Sequence, residues 1–174
     1  MKIFVATTSK DEVDSHYKKD TLTIGKYLIE NNIDLVFGCD YHGCMGVLYN
    51  LYKENNREIY AYNIPIYNIN LDKVHNIPVK NIPERTLNML NDSDIWLFLP
   101  GGIGTYQELL TAVDIKRTYN INKPLIIYND NHYYDDLLNI IKKLEKSKFS
   151  SNIESIYKIA NNTSEVIKYI KDVI

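Results

Sequence analysis

The chain has 174 residues, enough for one domain with a complete core. A formal net charge of -2 and a pI near 6.1 provide no basic field for nucleic acid, while 45% hydrophobic residues and a mean hydropathy of -0.29 fit a water-soluble globular domain. No apolar run is long enough to cross a bilayer, the first residues read as a strand rather than a signal peptide, and Cys39 and Cys44 define no disulfide framework, so the expected location is the cytoplasm.

Short apolar runs alternate with longer amphipathic ones. Residues 3–6 predict a first strand, and 15–31 a helix with Tyr17, Leu22, Ile24, Tyr27 and Leu28 on one side. A second strand at 34–37 stops at Gly38, and 43–55 predict a helix with Met45 and Leu48 inward. A third strand follows at 58–62, then 63–80, with two prolines and no period, read as a loop. Residues 83–90 predict a helix with Pro83 in its first turn, and 95–99 a buried central strand. Beyond it come a helix at 105–119, a strand at 125–128, a helix at 133–146, a short strand at 156–160 and a last helix opened by Thr163. Alternating strands and helices predict an α/β fold, a Rossmann-like three-layer α/β/α arrangement with a parallel sheet, and one domain spanning 1–174.

In such a sheet ligands bind beyond the carboxyl ends of the strands. Three segments are expected there: 7–9, 38–46 and 100–105. The last is the most informative. An apolar strand ends at Pro100; Gly101, Gly102 and Gly104 follow; Thr105 is placed to cap a helix; Glu108 sits one turn in. Free N–H groups at a helix start attract an anion. A carboxylate does not bind an anion, so Glu108 is expected to act beside it. Arg85, at the start of the preceding helix, offers a planar fork for phosphate or ribose. Cys39, Asp40, His42 and Cys44 are residue types that suit zinc, but their spacing matches no usual zinc pairing, and no metal is expected. The fifteen tyrosines read as compositional bias rather than as a binding surface.

Pro100-Gly101-Gly102-Ile103-Gly104-Thr105-Tyr106-Gln107-Glu108 resembles the PGGxGTxxE signature of the Lonely Guy family, cytokinin-activating phosphoribohydrolases long labelled lysine decarboxylases. The resemblance runs nearly end to end. Residues 33–38 look like the family's second strand, Gly43-Cys44-Met45-Gly46 like its GLMG turn, and Tyr133-Tyr134 fall where the family has similar residues. The resemblance implies a Rossmann-like dimer that cleaves the N-glycosidic bond of an N6-substituted adenosine 5'-monophosphate, releasing the free base and ribose 5-phosphate without a cofactor. It implies catalytic roles for Arg85 and Glu108, and substrate binding by Gly38, Gly43, Gly46, Thr86, Gly101, Gly102, Ile103, Gly104 and Thr105. The chain departs from the family pattern in places. Gly38-Cys39-Asp40 replace three glycines, Ile82-Pro83-Glu84-Arg85-Thr86 replace a Met-His-x-Arg-Lys block, and Gln107 replaces a glutamate. Two alternatives stay open: a general nucleoside 5'-monophosphate nucleosidase, and a non-hydrolytic nucleotide-binding protein of the same fold.

Overall fold

The computed structural model describes residues 1–151 and 153–174. Among them, seven strands form one parallel sheet: β1 (Lys2–Ala6), β2 (Asp34–Phe37), β3 (Ile59–Asn63), β4 (His75–Pro78), β5 (Ile95–Phe98), β6 (Leu125–Tyr128) and β7 (Lys158–Ala160). Their spatial order is β4-β3-β2-β1-β5-β6-β7. The chain steps outward from β1 to β4, returns beside β1 as β5, and steps outward the other way. The reversal between β1 and β5 opens a crevice at their carboxyl ends, because the connections on either side turn away from each other. The registers Ala6 to Phe98 and Phe4 to Val36 bring the ends of β1, β2 and β5 together below that crevice.

Among the described residues six α-helices cover the sheet: α1 (Ser15–Glu30), α2 (Gly43–Glu54), α3 (Ile82–Asp92), α4 (Ile103–Tyr119), α5 (Asp135–Lys146) and α6 (Thr163–Lys171). Successive strand side chains point to opposite faces, so β1 feeds two cores. Ile3 and Val5 pack with Ile24, Leu28, Leu48, Tyr52 and Ile170 of α1, α2 and α6. Phe4 and Ala6 pack with Met89, Leu109, Ala112 and Leu138 of α3, α4 and α5. The central strands β1 and β5 are buried on both faces and carry almost no polar residues, as their sequence requires. The expected three-layer fold is the observed one.

Local sequence fixes several helix ends. Asn81 accepts the Glu84 N–H at 2.9 Å, while Glu84 accepts the Lys80 N–H at 3.0 Å. Asn162 and Glu165 repeat the pattern at α6: Asn162 accepts the Glu165 N–H and Glu165 accepts the Asn161 N–H. Two expectations need correction. The segment read as a loop, 63–80, contains the edge strand β4 and a short turn at Pro65–Tyr67. Strand β4 has only four residues and one proline, too little for a periodic signal, and it forms because β3 offers an open edge. Thr105 does not cap α4. That helix starts at Ile103 behind Gly102, and the Thr105 hydroxyl instead donates to the Thr7 carbonyl at 3.2 Å, tying α4 to β1.

Candidate functional site

A cavity of about 440 Å3 occupies the crevice. Its floor is the end of β1, from Phe4 through Lys10. One wall is Gly38, Cys39 and Asp40 after β2, and the opposite wall is Gly102, Ile103, Gly104 and Thr105 at the start of α4. Arg85 and Glu108 enter from α3 and α4, and Met45, Tyr67 and Ile69 form an apolar side. The structure therefore brings Gly38, Arg85, Gly102, Ile103, Gly104, Thr105 and Glu108 to one place.

Gly43, Gly46, Gly101 and Thr86 do not line this cavity. Each is occupied by the chain itself. Gly43 has φ +57°, and a Cβ there would lie 2.7 Å from the Lys10 carbonyl oxygen; a Cβ on Gly46 would lie 2.2 Å from that of Tyr41. The Gly43 N–H is already taken by Asp11 Oδ1 at 2.8 Å and the Met45 N–H by the Thr8 carbonyl at 3.1 Å, so the start of α2 docks the loop after β1. Thr86 is fully buried, and its hydroxyl lies 3.3 Å from Gln107 Oε1, joining α3 to α4. A Cβ on Gly101 would meet Thr105 Oγ1 at 2.2 Å, whereas one on Gly102 or Gly104 would meet nothing within 4 Å. The last two glycines are thus not demanded by packing; they keep the cavity wall bare. Gly46→Ala is expected to destabilise the fold by about 1–3 kcal/mol through overpacking. Gly102→Ala, by contrast, should leave the urea midpoint unchanged, which equilibrium unfolding of the two variants measures side by side.

Glu108 is 7% exposed, and its nearest charged partner is Arg85, with Nη2 3.7 Å from Oε1. Burial pushes its carboxyl up to about 7, and the Arg85 charge only partly offsets that. The Arg85 guanidinium also donates through Nη1 to the Gly38 carbonyl at 3.3 Å and lies 5.7 Å from the Tyr67 ring centroid. Its Nε is buried with no hydrogen-bond partner among the described residues. A buried carboxylate poised near neutrality, beside an arginine with a spare donor, is a combination suited to proton transfer on a bound polar ligand.

Cys39 adopts φ +59°, the left-handed region that favours glycine, at a position where the resembled family has glycine. Burial pushes its thiol up to about 11, so it is no thiolate ligand or nucleophile at neutral pH. His42 pairs with Asp11 at 2.9 Å, outside the cavity. Among the described residues, the group with metal-ligand geometry is instead His16, Asp20 and Asp130, whose donor atoms lie within 4.8 Å of one another. Those groups are already spoken for: His16 Nε2 meets Asp130 at 2.6 Å, and the Tyr128 hydroxyl donates to Asp20 at 2.6 Å. Sequence reasoning missed Lys10, Tyr67 and Ile69 as cavity residues. Tyr67 and Ile69 come from the aperiodic segment before β4, where no pattern marks them.

The family described as "Possible lysine decarboxylase" matches residues 42–170. The chain belongs to this family, that of the Lonely Guy proteins. A cytokinin riboside 5'-monophosphate phosphoribohydrolase of Arabidopsis thaliana is 27% identical over 98% of this chain and 82% of its own length. A probable enzyme of the same name from Oryza sativa is 28% identical over 84% of this chain and 66% of its own length. Among solved structures, the molybdenum cofactor carrier protein of Chlamydomonas reinhardtii aligns over 98% of this chain and 96% of that one, with a TM-score of 0.72 at 16% identity. The molybdenum cofactor binding protein of Rippkaea orientalis covers 99% of this chain and 94% of that one, with a TM-score of 0.67 at 18% identity. These likenesses show that the Lonely Guy chain shares its fold with carrier proteins. No described helix is long and apolar enough to cross a membrane.

Proposed function

We propose that this chain is a phosphoribohydrolase that releases the base from an adenosine 5'-monophosphate, N6-substituted or plain. The observation that carries the reading is Glu108: a carboxylate buried at the wall of a nucleotide-sized cavity, 3.7 Å from Arg85 and without a hydrogen-bond donor of its own among the described residues. A pure phosphate binder gains nothing from a carboxylate one turn into the helix whose N-terminus faces the anion. The names of the curated relatives support the same activity.

In this reading the 5'-phosphate lies against the N–H groups at the start of α4, where Gly102 and Gly104 leave room for it. The ribose then faces Glu108 and Arg85. Water attacks the anomeric carbon and Glu108 takes its proton. The bond from that carbon to the base nitrogen breaks, its electron pair leaves with the base, and the base is protonated in turn. Positive charge builds on the ribose along the way, and the carboxylate stabilises it. Holding the phosphate lets remote binding energy align the reacting bond. The base lies on the apolar side formed by Met45, Tyr67 and Ile69. A two-fold dimer belongs to the same reading, supported by the exposed Leu87 and Leu110 on the neighbouring helices α3 and α4.

The test is to incubate the protein with AMP and with N6-isopentenyl-AMP and follow free base by chromatography. Base release is expected, with a rate that rises as pH passes through about 7, because Glu108 acts only once it has lost its proton. Nucleotide recovered intact after long incubation would favour the non-hydrolytic binding reading instead.

A further inference from the structure

Between β5 and α4 the chain passes through Leu99, Pro100, Gly101 and Gly102, and each of these four carbonyls has a donor from the chain. The Tyr134 hydroxyl donates to Leu99 at 2.7 Å, the Thr7 hydroxyl to Pro100 at 3.1 Å, the Tyr133 hydroxyl to Gly101 at 2.5 Å, and the Tyr106 N–H to Gly102 at 3.1 Å. The first three are side-chain hydroxyls from two other segments of the fold. By contrast, none of the backbone N–H groups of Gly101, Gly102, Ile103, Gly104 and Thr105 finds an acceptor among the described residues.

A trans peptide is planar, with its C=O and the following N–H pointing in opposite directions. Thr7 holds the Pro100 oxygen, and the Gly101 oxygen is held toward Tyr133, which does not line the cavity, so the Gly102 N–H is aimed the other way. With glycine on both sides, the Gly101–Gly102 peptide is the one most free to flip, and a flip would turn a carbonyl oxygen toward an incoming anion. The tyrosines are themselves held. Asn129 accepts the Tyr134 N–H at 2.7 Å, and the Tyr133 ring packs edge-on against Tyr134, Tyr17 and Tyr106.

We infer that Tyr133 and Thr7, with Tyr134 behind them, are positioning residues: a clamp of hydroxyls that fixes peptide orientation in the glycine turn so that its N–H groups grip the phosphate of a nucleoside monophosphate. The inference rests on the proposed site for the substrate phosphate but not on hydrolysis.

The experiment measures dissociation constants of AMP and adenosine for the wild type, Tyr133→Phe and Thr7→Val, at a pH and temperature where AMP is not consumed, or with Glu108→Gln as the common background. Tyr133 is 36% exposed, and phenylalanine keeps the ring contacts, so folding is checked by thermal melting alone. The wild type is expected to prefer AMP, and each variant to weaken AMP about threefold to tenfold while leaving adenosine unchanged. An AMP-to-adenosine ratio that stays at the wild-type value in the folded variants overturns the clamp, as does parallel weakening of both ligands. A wild type that binds AMP and adenosine equally overturns it too. Preferential AMP binding without base release would sink the hydrolase reading and leave the clamp standing.

Discussion

Glu108→Gln is expected to cut base release by about a hundredfold to ten-thousandfold while the nucleotide still binds. The amide keeps the shape of the carboxylate but can neither take a proton from water nor offset positive charge on the ribose. The substitution therefore acts on kcat and not on affinity, and single-turnover assays with a separate binding measurement keep the two apart. The same variant has a stability signature with a definite sign. Burial raises the Glu108 carboxyl from 4.5 to about 7, so the folded state favours the protonated form. Above pH 4.5 the unfolded chain gives up this proton while the folded chain holds it. Folding stability thus falls as pH rises from about 4.5 to about 7, by about 3 kcal/mol for this group, and then levels off. The variant lacks that decline. Denaturant melts of both proteins at pH 5 and pH 8 should show the variant gaining on the wild type at the higher pH; equal pH dependence in the two would contradict the burial argument.

Arg85→Leu is expected to lower kcat/KM by about a hundredfold to a thousandfold. The guanidinium does three things at once: it touches the Gly38 carbonyl, faces Glu108 at 3.7 Å, and keeps a buried Nε in reserve. Losing it removes a donor to the ligand in the proposed reading, and it removes the neighbouring charge that holds the Glu108 carboxyl down. The acidic limb of the pH–rate profile should then move above its wild-type position near 7, since burial acts unopposed. Arg85→Lys restores a charge but not the planar fork, so it is expected to return the limb toward its original position while kcat/KM stays depressed. A limb that does not move in Arg85→Leu would show that the two side chains are not coupled in the free enzyme.

Much of this was legible in the sequence, for reasons particular residues make clear. The strand at 95–98 has no polar alternation because both its faces are covered, and the helix from 103 follows a turn in which Gly101 is required by its close approach to Thr105. Arg85 and Glu108, both singled out in the sequence, lie 3.7 Å apart because each sits near the start of a helix that flanks β5. The glycines misled in one respect: Gly43, Gly46 and Gly101 are there for the chain's own close approaches, and sequence alone does not tell a glycine that admits a ligand from one that admits a backbone. Tyr133 and Tyr134 fall where the family has similar residues, but their hydrogen bonds to Gly101 and Leu99, 32 and 35 residues away in sequence, emerge only when the turn after β6 is folded. Tyr67 and Ile69 are equally silent before folding, since a loop has no period to read.

The two outer strands set how this molecule can meet its neighbours. At one rim β4 is only four residues long, exposes His75 and Asn76, sets the His75 imidazole against the Glu58 carboxylate, and ends in a proline that has no N–H to offer. At the other rim β7 has three residues and an exposed lysine at its start. Neither rim is a template on which a foreign strand can extend the sheet. Growth of the sheet by stacking edge to edge is therefore closed off on both sides. A second copy, if it binds, would come in against the helical layers, where α3 exposes Leu87, α4 exposes Leu110, and α5 exposes Ile140 and Leu144. In a dimer built on the leucines of α3 and α4, the interface and the proposed chemistry of the crevice would share those two helices.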